Sequence, residues 1–438
     1  MSQRPCALLL GVSLTFCASA SIETRLERAP LDFRGRALVA ISDADMLASA
    51  YVDGILGPRE GRDALSVVHL DADSSRTQAY SVEVSNSVAG PPSAVATTAD
   101  GRFAFVVETF RQRSEGATTF RDLQPGSRLS VIDLNDLRAP GHIHSLEVGT
   151  RPTSVSVNPA GDLVAVALHP VDGRQLALIP FDNGRLSKPT YTGLPGVPKE
   201  LESPHVEWHP SGRFIAVTVF GRNEIVFYAV QRDTDKISIQ PWGKPVQVGK
   251  YPMMGRFTPD GRYFVNVNLY WGRDVEGFWI TAPRGDVTVT RFDNINDEPA
   301  HRVVSRAETG VSPEGIAISP DGRFVVTTNL ERSYLPYTDV RITWYSSLTL
   351  LSLDLETGRI RSHGESLYDG ILPEAAAFDA SGRYIAVANF DHFDDSTKGG
   401  SIDFWRIVDD LTSNGPKLVR TTHTVPVARG PHSMVLIR

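Results

Sequence analysis

Ser312 to Asn329 reads SPEGIAISPDGRFVVTTN. The apolar run Ile316-Ala317-Ile318 predicts a short strand, Pro320-Asp321-Gly322 a tight turn, and Phe324 to Thr328 a second strand, which together make a β-hairpin. Gly322 stands where such a turn calls for a positive φ. The pattern recurs as PPSAVATTADGRFAFVVE from Pro91, RPTSVSVNPAGDLVAVAL from Arg151, SPHVEWHPSGRFIAVTVF from Ser203, YPMMGRFTPDGRYFVNVN from Tyr251 and LPEAAAFDASGRYIAVAN from Leu372. A last copy, GPHSMVLIR, ends where its turn should begin.

The prolines that open the copies, Pro92, Pro152, Pro204, Pro252, Pro313, Pro373 and Pro431, lie 48 to 61 residues apart. Such a period, with about four short strands per unit, is that of β-propeller blades lengthened by insertions. Seven starts predict an all-β, seven-bladed β-propeller of four-stranded antiparallel blades. Strands apolar on both faces, as in Phe324-Val325-Val326, suit sheets packed between neighbouring sheets.

The unit at the N-terminus lacks an inner strand, and the copy from Pro431 is an inner strand without followers. The expected closure pairs N- and C-terminal strands, with Pro431–Ile437 beside Met46–Val52, the segment DMLASAYVDG aligning with the second strands of the other hairpins. SVVHLDAD from Ser66 and AYSVEVS from Ala79 then follow as third and fourth strands. Ala37–Ile41 is also strand-like and competes for the inner position.

Residues 1–20 read as a cleaved secretory signal: Arg4, an apolar run from Ala7 to Phe16, then Ala18-Ser19-Ala20. Both cysteines, Cys6 and Cys17, fall inside it, which leaves no disulfide or thiolate metal site after cleavage. Residues 21–36 form a charged lead-in, and residues 37–438 the propeller. The expected location is periplasmic or secreted. A net charge of −7 disfavours nucleic acid as a partner, and no apolar run after the signal reaches transmembrane length.

Four long connections follow second strands: Thr109 to Ser127, Leu269 to Gly285, Leu330 to Tyr345 and Phe390 to Gly400. In a four-stranded blade they crowd the face at which the inner strands enter. They are rich in aromatic residues, among them Trp271, Trp279, Tyr334, Tyr337, Trp344 and Phe393, which serve either as a self-packed lid or as a canopy for a ligand. The residues after the marker prolines, Ser93, Thr153, His205, Met253, Glu314, Glu374 and His432, line the channel mouth. His205, Glu314, Glu374 and His432 could exchange protons there or hold a divalent metal, zinc, manganese or iron by donor type, or simply line a wet channel. No cofactor is required by the sequence. Asp391, His392, Asp394 and Asp395 could bind calcium or be solvated. Gly310-Val311-Ser312-Pro313-Glu314-Gly315 is one residue too long for a nucleophile elbow.

The SPDGRF-type turns, each followed by a strand ending in Asn268, Asn329 or Asn389, and the stretch SPHVEWHPSGRFIAVTVFGRNEIVFY from Ser203 resemble the YVTN-repeat and lactonase-type seven-bladed propellers, a family with 6-phosphogluconolactonase-like and carboxymuconate-cyclase-like members. The resemblance implies hydrolysis or isomerisation of a lactone-like small molecule in the funnel. His205 and Glu314 would be the acid/base pair, with Glu374 and His432 orienting or metal-binding. Family members tend to carry Arg-His where this chain has Met253-Met254, and an arginine where it has Glu374. Arg222 or Arg256 would then take an anionic substrate, with Trp271, Trp279, Tyr334, Trp344 and His392 as further contacts. The alternatives are a non-catalytic monomeric propeller that grips a periplasmic protein or glycan, and a subunit or chaperone of a redox enzyme.

Overall fold

The computed structural model describes residues 31–70, 77–233, 236–272, 274–275, 283–293, 299–394, 396–410 and 415–438. Seven antiparallel sheets follow one another around a ring. The opening hairpin is as the sequence predicts. Pro313–Ile318 pairs with Phe324–Asn329, which pairs with Ser346–Leu353 and then Ile360–Tyr368.

The turn between the first two strands shows why its residues recur. Gly322 has φ 76°, its N–H donates to the Ser319 carbonyl, and the Asp321 carboxylate accepts from the Ser319 hydroxyl and the Arg323 N–H. Gly101, Gly161, Gly212, Gly261 and Gly382, at the same place in the other copies, also have positive φ. A side chain there would meet the αL penalty that only glycine escapes.

Reading outward from the channel, the other complete blades begin with the pairs Val95–Thr97 and Phe103–Val107, Pro152–Val157 and Leu163–Val171, Val206–Trp208 and Phe214–Val219, Pro252–Phe257 and Tyr263–Asn268, and Ala375–Phe378 and Tyr384–Asn389. The outermost strands of the blades from Pro152 and Val206 are each broken into two short pieces. The second strands are almost wholly buried, since each sheet is covered on both faces by its neighbours.

Closure differs from expectation in one respect. Pro431–Ile437 is the inner strand of the first blade, but its partner is Ala37–Ser42, with Ala37 opposite Ile437 and Val39 opposite Val435. Ala64–His69 and Gln78–Glu83 complete that blade. Ala37–Ser42 is buried at every position, which fits a central strand. Met46–Val52 is no strand: Met46 and Ala50 are buried one helical turn apart, and Ala50–Asp53 is a short helix closed by Gly54 in the αL conformation. Residues 43–63 are therefore a fifth insertion. Leu31 and Phe33 seat the end of the lead-in on the last blade, with the Phe33 ring 5.1 Å from that of Phe404. Among the described residues no helix is long and apolar enough to cross a membrane.

Candidate active site

The polypeptide enters five of the seven inner strands through a tight bend of positive φ. Arg151, Tyr251, Ser312 and Leu372, directly before marker prolines, all have φ between 44° and 59°, and Gly430 has φ 82°. These bends turn the residues just before and after the prolines toward the channel mouth. Together with the insertions they enclose a chamber of about 780 Å³ to which all seven blades contribute.

Its polar heart is a pair of glutamates. Glu314 and Glu374, from adjacent inner strands, are 5% and 1% exposed and line the chamber. The backbones run so close that a Cβ on Gly315 would lie 2.2 Å from the Glu374 carbonyl oxygen. No described residue donates a hydrogen bond to the Glu314 carboxyl, and Oε2 of Glu374 is buried without a partner. Burial pushes Glu314 up to about 8. Glu374 is driven well above the carboxylate range by burial and then by the charge of Glu314. At neutral pH the pair thus retains protons.

The walls are aromatic. Tyr251 stacks on Phe220 at 4.7 Å and lies 5.8 Å from Trp271, whose Nε1–H donates to the Ser312 hydroxyl. Tyr51 and Phe110 flank Phe120 at 6.1 and 5.6 Å. Tyr334 is buried at the rim. Arg151 sits with its guanidinium 4.9 Å from the Phe110 ring centre; its buried Nε has no hydrogen-bond partner.

His205 and His432 lie below this chamber and do not line it. His205 is fully buried; its Nε2–H donates to the Gly255 carbonyl at 2.8 Å and its Nδ1 accepts from the Ser93 hydroxyl at 3.0 Å. It thereby ties blades on both sides of its own into a floor. The His432 Nε2–H donates to Asn86 Oδ1 at 2.8 Å, and its Nδ1 is buried without a partner. Burial drives both imidazoles down to about 3, so both are neutral.

The remaining residues singled out in the sequence disperse. Arg256 pairs with Glu207 at 2.8 Å and Arg222 with Glu224 at 3.0 Å, and neither lines the chamber. Trp344 is 54% exposed and packs 5.3 Å from Tyr337 and from Phe393, away from the chamber. His392 borders a separate cleft, with its N–H on the Asp391 carboxylate. Asp394 accepts from Ser396. Trp279 and Asp395 lie outside the described residues. Neither the mouth residues nor the Asp391 loop forms a metal-sized cluster among the described residues.

Sequence reasoning missed Tyr51 and Arg151. Tyr51 was hidden by the misplacement of Met46–Val52. Arg151 stands before its marker proline, and the repeat itself marks that position as the bend facing the chamber.

Residues 54–392 match the family described as "Lactonase, 7-bladed beta-propeller". The chain belongs to that family. The periplasmic gluconolactonase of Pseudomonas aeruginosa is 17% identical, with a TM-score of 0.60 over 92% of this chain and 99% of its own. A Bacteroides fragilis protein assigned as a 6-phosphogluconolactonase is 15% identical, with a TM-score of 0.61 over 92% and 98%. A Lactobacillus plantarum protein is 14% identical, with a TM-score of 0.60 over 92% and 100%. At these identities the likeness is one of fold. No curated protein matches the chain.

Proposed function

We propose that this propeller hydrolyses a lactone-like small molecule in the chamber, using Glu314 and Glu374 as a proton-exchanging pair. The observation that carries the reading is the juxtaposition of two buried carboxyls, without charged partners, in a chamber walled by aromatic rings. Two like groups so placed resist ionising together, and the strong elevation of Glu374 leaves Glu314 as the one that ionises first. Ionised Glu314 takes a proton from water as the water oxygen bonds to the lactone carbonyl carbon. The ring C–O bond then breaks, and its oxygen receives the proton of Glu374. Proton transfer from Glu314 to Glu374 restores the starting state.

Within this reading the aromatic walls hold an apolar ring face, and Arg151 faces a carboxylate or phosphate on the substrate. His205 and His432 position the floor and exchange no protons. Export is inferred from residues 1–20, and the periplasmic relative supports it. One observation favours the binding alternative: Trp344, Tyr337 and Phe393 form an aromatic patch in which Trp344 is 54% and Tyr337 47% exposed.

The test is a panel of aldonolactones, phosphorylated and plain, hydrolysed by purified residues 21–438 in a pH-stat. Turnover abolished about 100-fold or more by Glu314→Gln, at an unchanged melting temperature, supports the reading. A wild-type protein no faster than buffer on every lactone removes it.

A further inference from the structure

Away from the two glutamates, the seam of the ring gathers three more buried carboxylates. Asp43 and Asp45 follow the strand Ala37–Ser42, and Asp63 precedes Ala64–His69, so the three close the two ends of the insertion that carries Tyr51. Each is at most 4% exposed, and each offers an oxygen within 4.8 Å of the others. Oxygens no farther apart than this can all reach one ion at about 2.4 Å, the distance calcium takes from oxygen.

The neighbours hold these carboxylates without neutralising them. Asp43 accepts from the Asp45 N–H, the Val88 N–H and the Ser87 hydroxyl; Asp45 Oδ2 accepts from the Arg113 N–H at 2.7 Å; Asp63 Oδ2 accepts from the Asn86 N–H. Asp63 Oδ1 is buried without a well-formed hydrogen bond, the Ala44 N–H being the only further donor near this carboxyl among the described residues. No ion pair joins any of the three to a described lysine or arginine. The arginines that border the insertion are directed elsewhere, Arg113 to the carbonyls of Asp45, Gly57 and Ala117, and Arg429 to those of Ala44 and Pro58 and to Glu60. Burial and mutual repulsion push Asp43 up to about 7 and Asp63 well above the carboxylate range, so a buried oxygen left without a partner in this three-carboxyl cluster is met either by a proton or, in competition with it, by a cation. The donors are all oxygen, which selects a hard ion.

We propose that Asp43, Asp45 and Asp63 bind one calcium ion that fastens the 43–63 insertion to the closing seam. The Asp43 N–H already donates to the Gly430 carbonyl, one residue before the closing strand. The ion would join, at one point, the insertion, the seam and the segment that leads from Asn86 into the next blade.

The experiment uses residues 21–438 stripped with EDTA and desalted, then titrated with calcium chloride by calorimetry and followed by thermal melting. Expected are one calcium per chain and a melting temperature that climbs by several degrees and keeps rising with calcium above saturation. Asp63→Asn should weaken binding at least 10-fold, and Asp394→Asn should leave it unchanged. Should Asp63→Asn not fold, Asp45→Asn and the wild-type titration decide the matter. No calcium bound by the wild type, or binding lost in Asp394→Asn and kept in Asp63→Asn, overturns the proposal. These readouts stand whether or not the chamber hydrolyses lactones.

Discussion

Glu314 is a residue whose surroundings set its chemistry. Its pKa of about 8 arises from burial, because no donor or cation favours the charged form. If it is the base, kcat/KM should rise with pH up to about 8 and level off, and Glu314→Gln should erase that limb. Stability runs the other way. The unfolded carboxyl titrates near 4.5, so between 4.5 and 8 the folded state holds the extra proton and loses stability as pH rises, by up to about 1.4 kcal/mol per pH unit. Chemical denaturation of wild type and Glu314→Gln at pH 5, 6.5 and 8 reads this directly: the gap in stability should move in favour of Gln as pH increases. A gap constant with pH would mean that Glu314 is ionised throughout. A separate measurement addresses Arg151. Arg151→Met should raise KM for an anionic lactone at least 10-fold and leave that for a neutral one within about twofold, since only a charged ligand group senses the guanidinium.

At the scale of the element, two glycines separate two kinds of constraint. Gly322 needs its φ of 76° and is only mildly crowded, as an added Cβ would come 3.2 Å from the end of the flexible Leu355 side chain, which a small shift relieves. Gly310 has an ordinary backbone, yet a Cβ there would fall 2.5 Å from Glu331 Oε1 and 2.8 Å from the Asn329 Cβ. Gly322→Ala should therefore cost about 1 kcal/mol. Gly310→Ala should cost more, in the range of about 1–3 kcal/mol seen for overpacked cores, and the ranking is checked by urea melts of both. From sequence, the turn glycine is the one that stands out, because a turn is a local affair of four residues. The crowding at Gly310 comes from Asn329 and Ser347, on other strands, and from Glu331, in the connection between them. The same distinction explains what else could be read. Hairpins, blade number and the crowded face follow from short-range patterns that repeat, and the glutamates inherit their place from that repeat. The burden on His205 is not local, as it depends on a hydroxyl 112 positions away, and so a residue suited by type to proton transfer lies buried and neutral outside the chamber lining. Met46–Val52 misled because an apolar stretch that short reads equally as strand or helix.

For the molecule as a whole, the seam is decisive. Deleting residues 431–438 exposes the edge of Ala37–Ser42 along six paired positions and opens a gap beneath the chamber. The truncated chain should lose a single cooperative melting transition, and light scattering should show association through the bared edge. A monomer that melts like the parent would show that six blades and a three-stranded remnant hold the ring without a seal.

The two sides of that seam are about 400 positions apart along the chain, whereas each other blade pairs strands from within one repeat. Blades can thus assemble from neighbouring hairpins, but the seam must await a contact of the longest range the sequence contains, which makes it the slow event of folding and the first to reverse. Amide hydrogens of Met434 to Leu436 should accordingly exchange with deuterium ahead of those of Val325 to Thr327, although both segments lie in paired strands of the same ring. A joint that opens before the blades melt gives this closed ring a hinge in time.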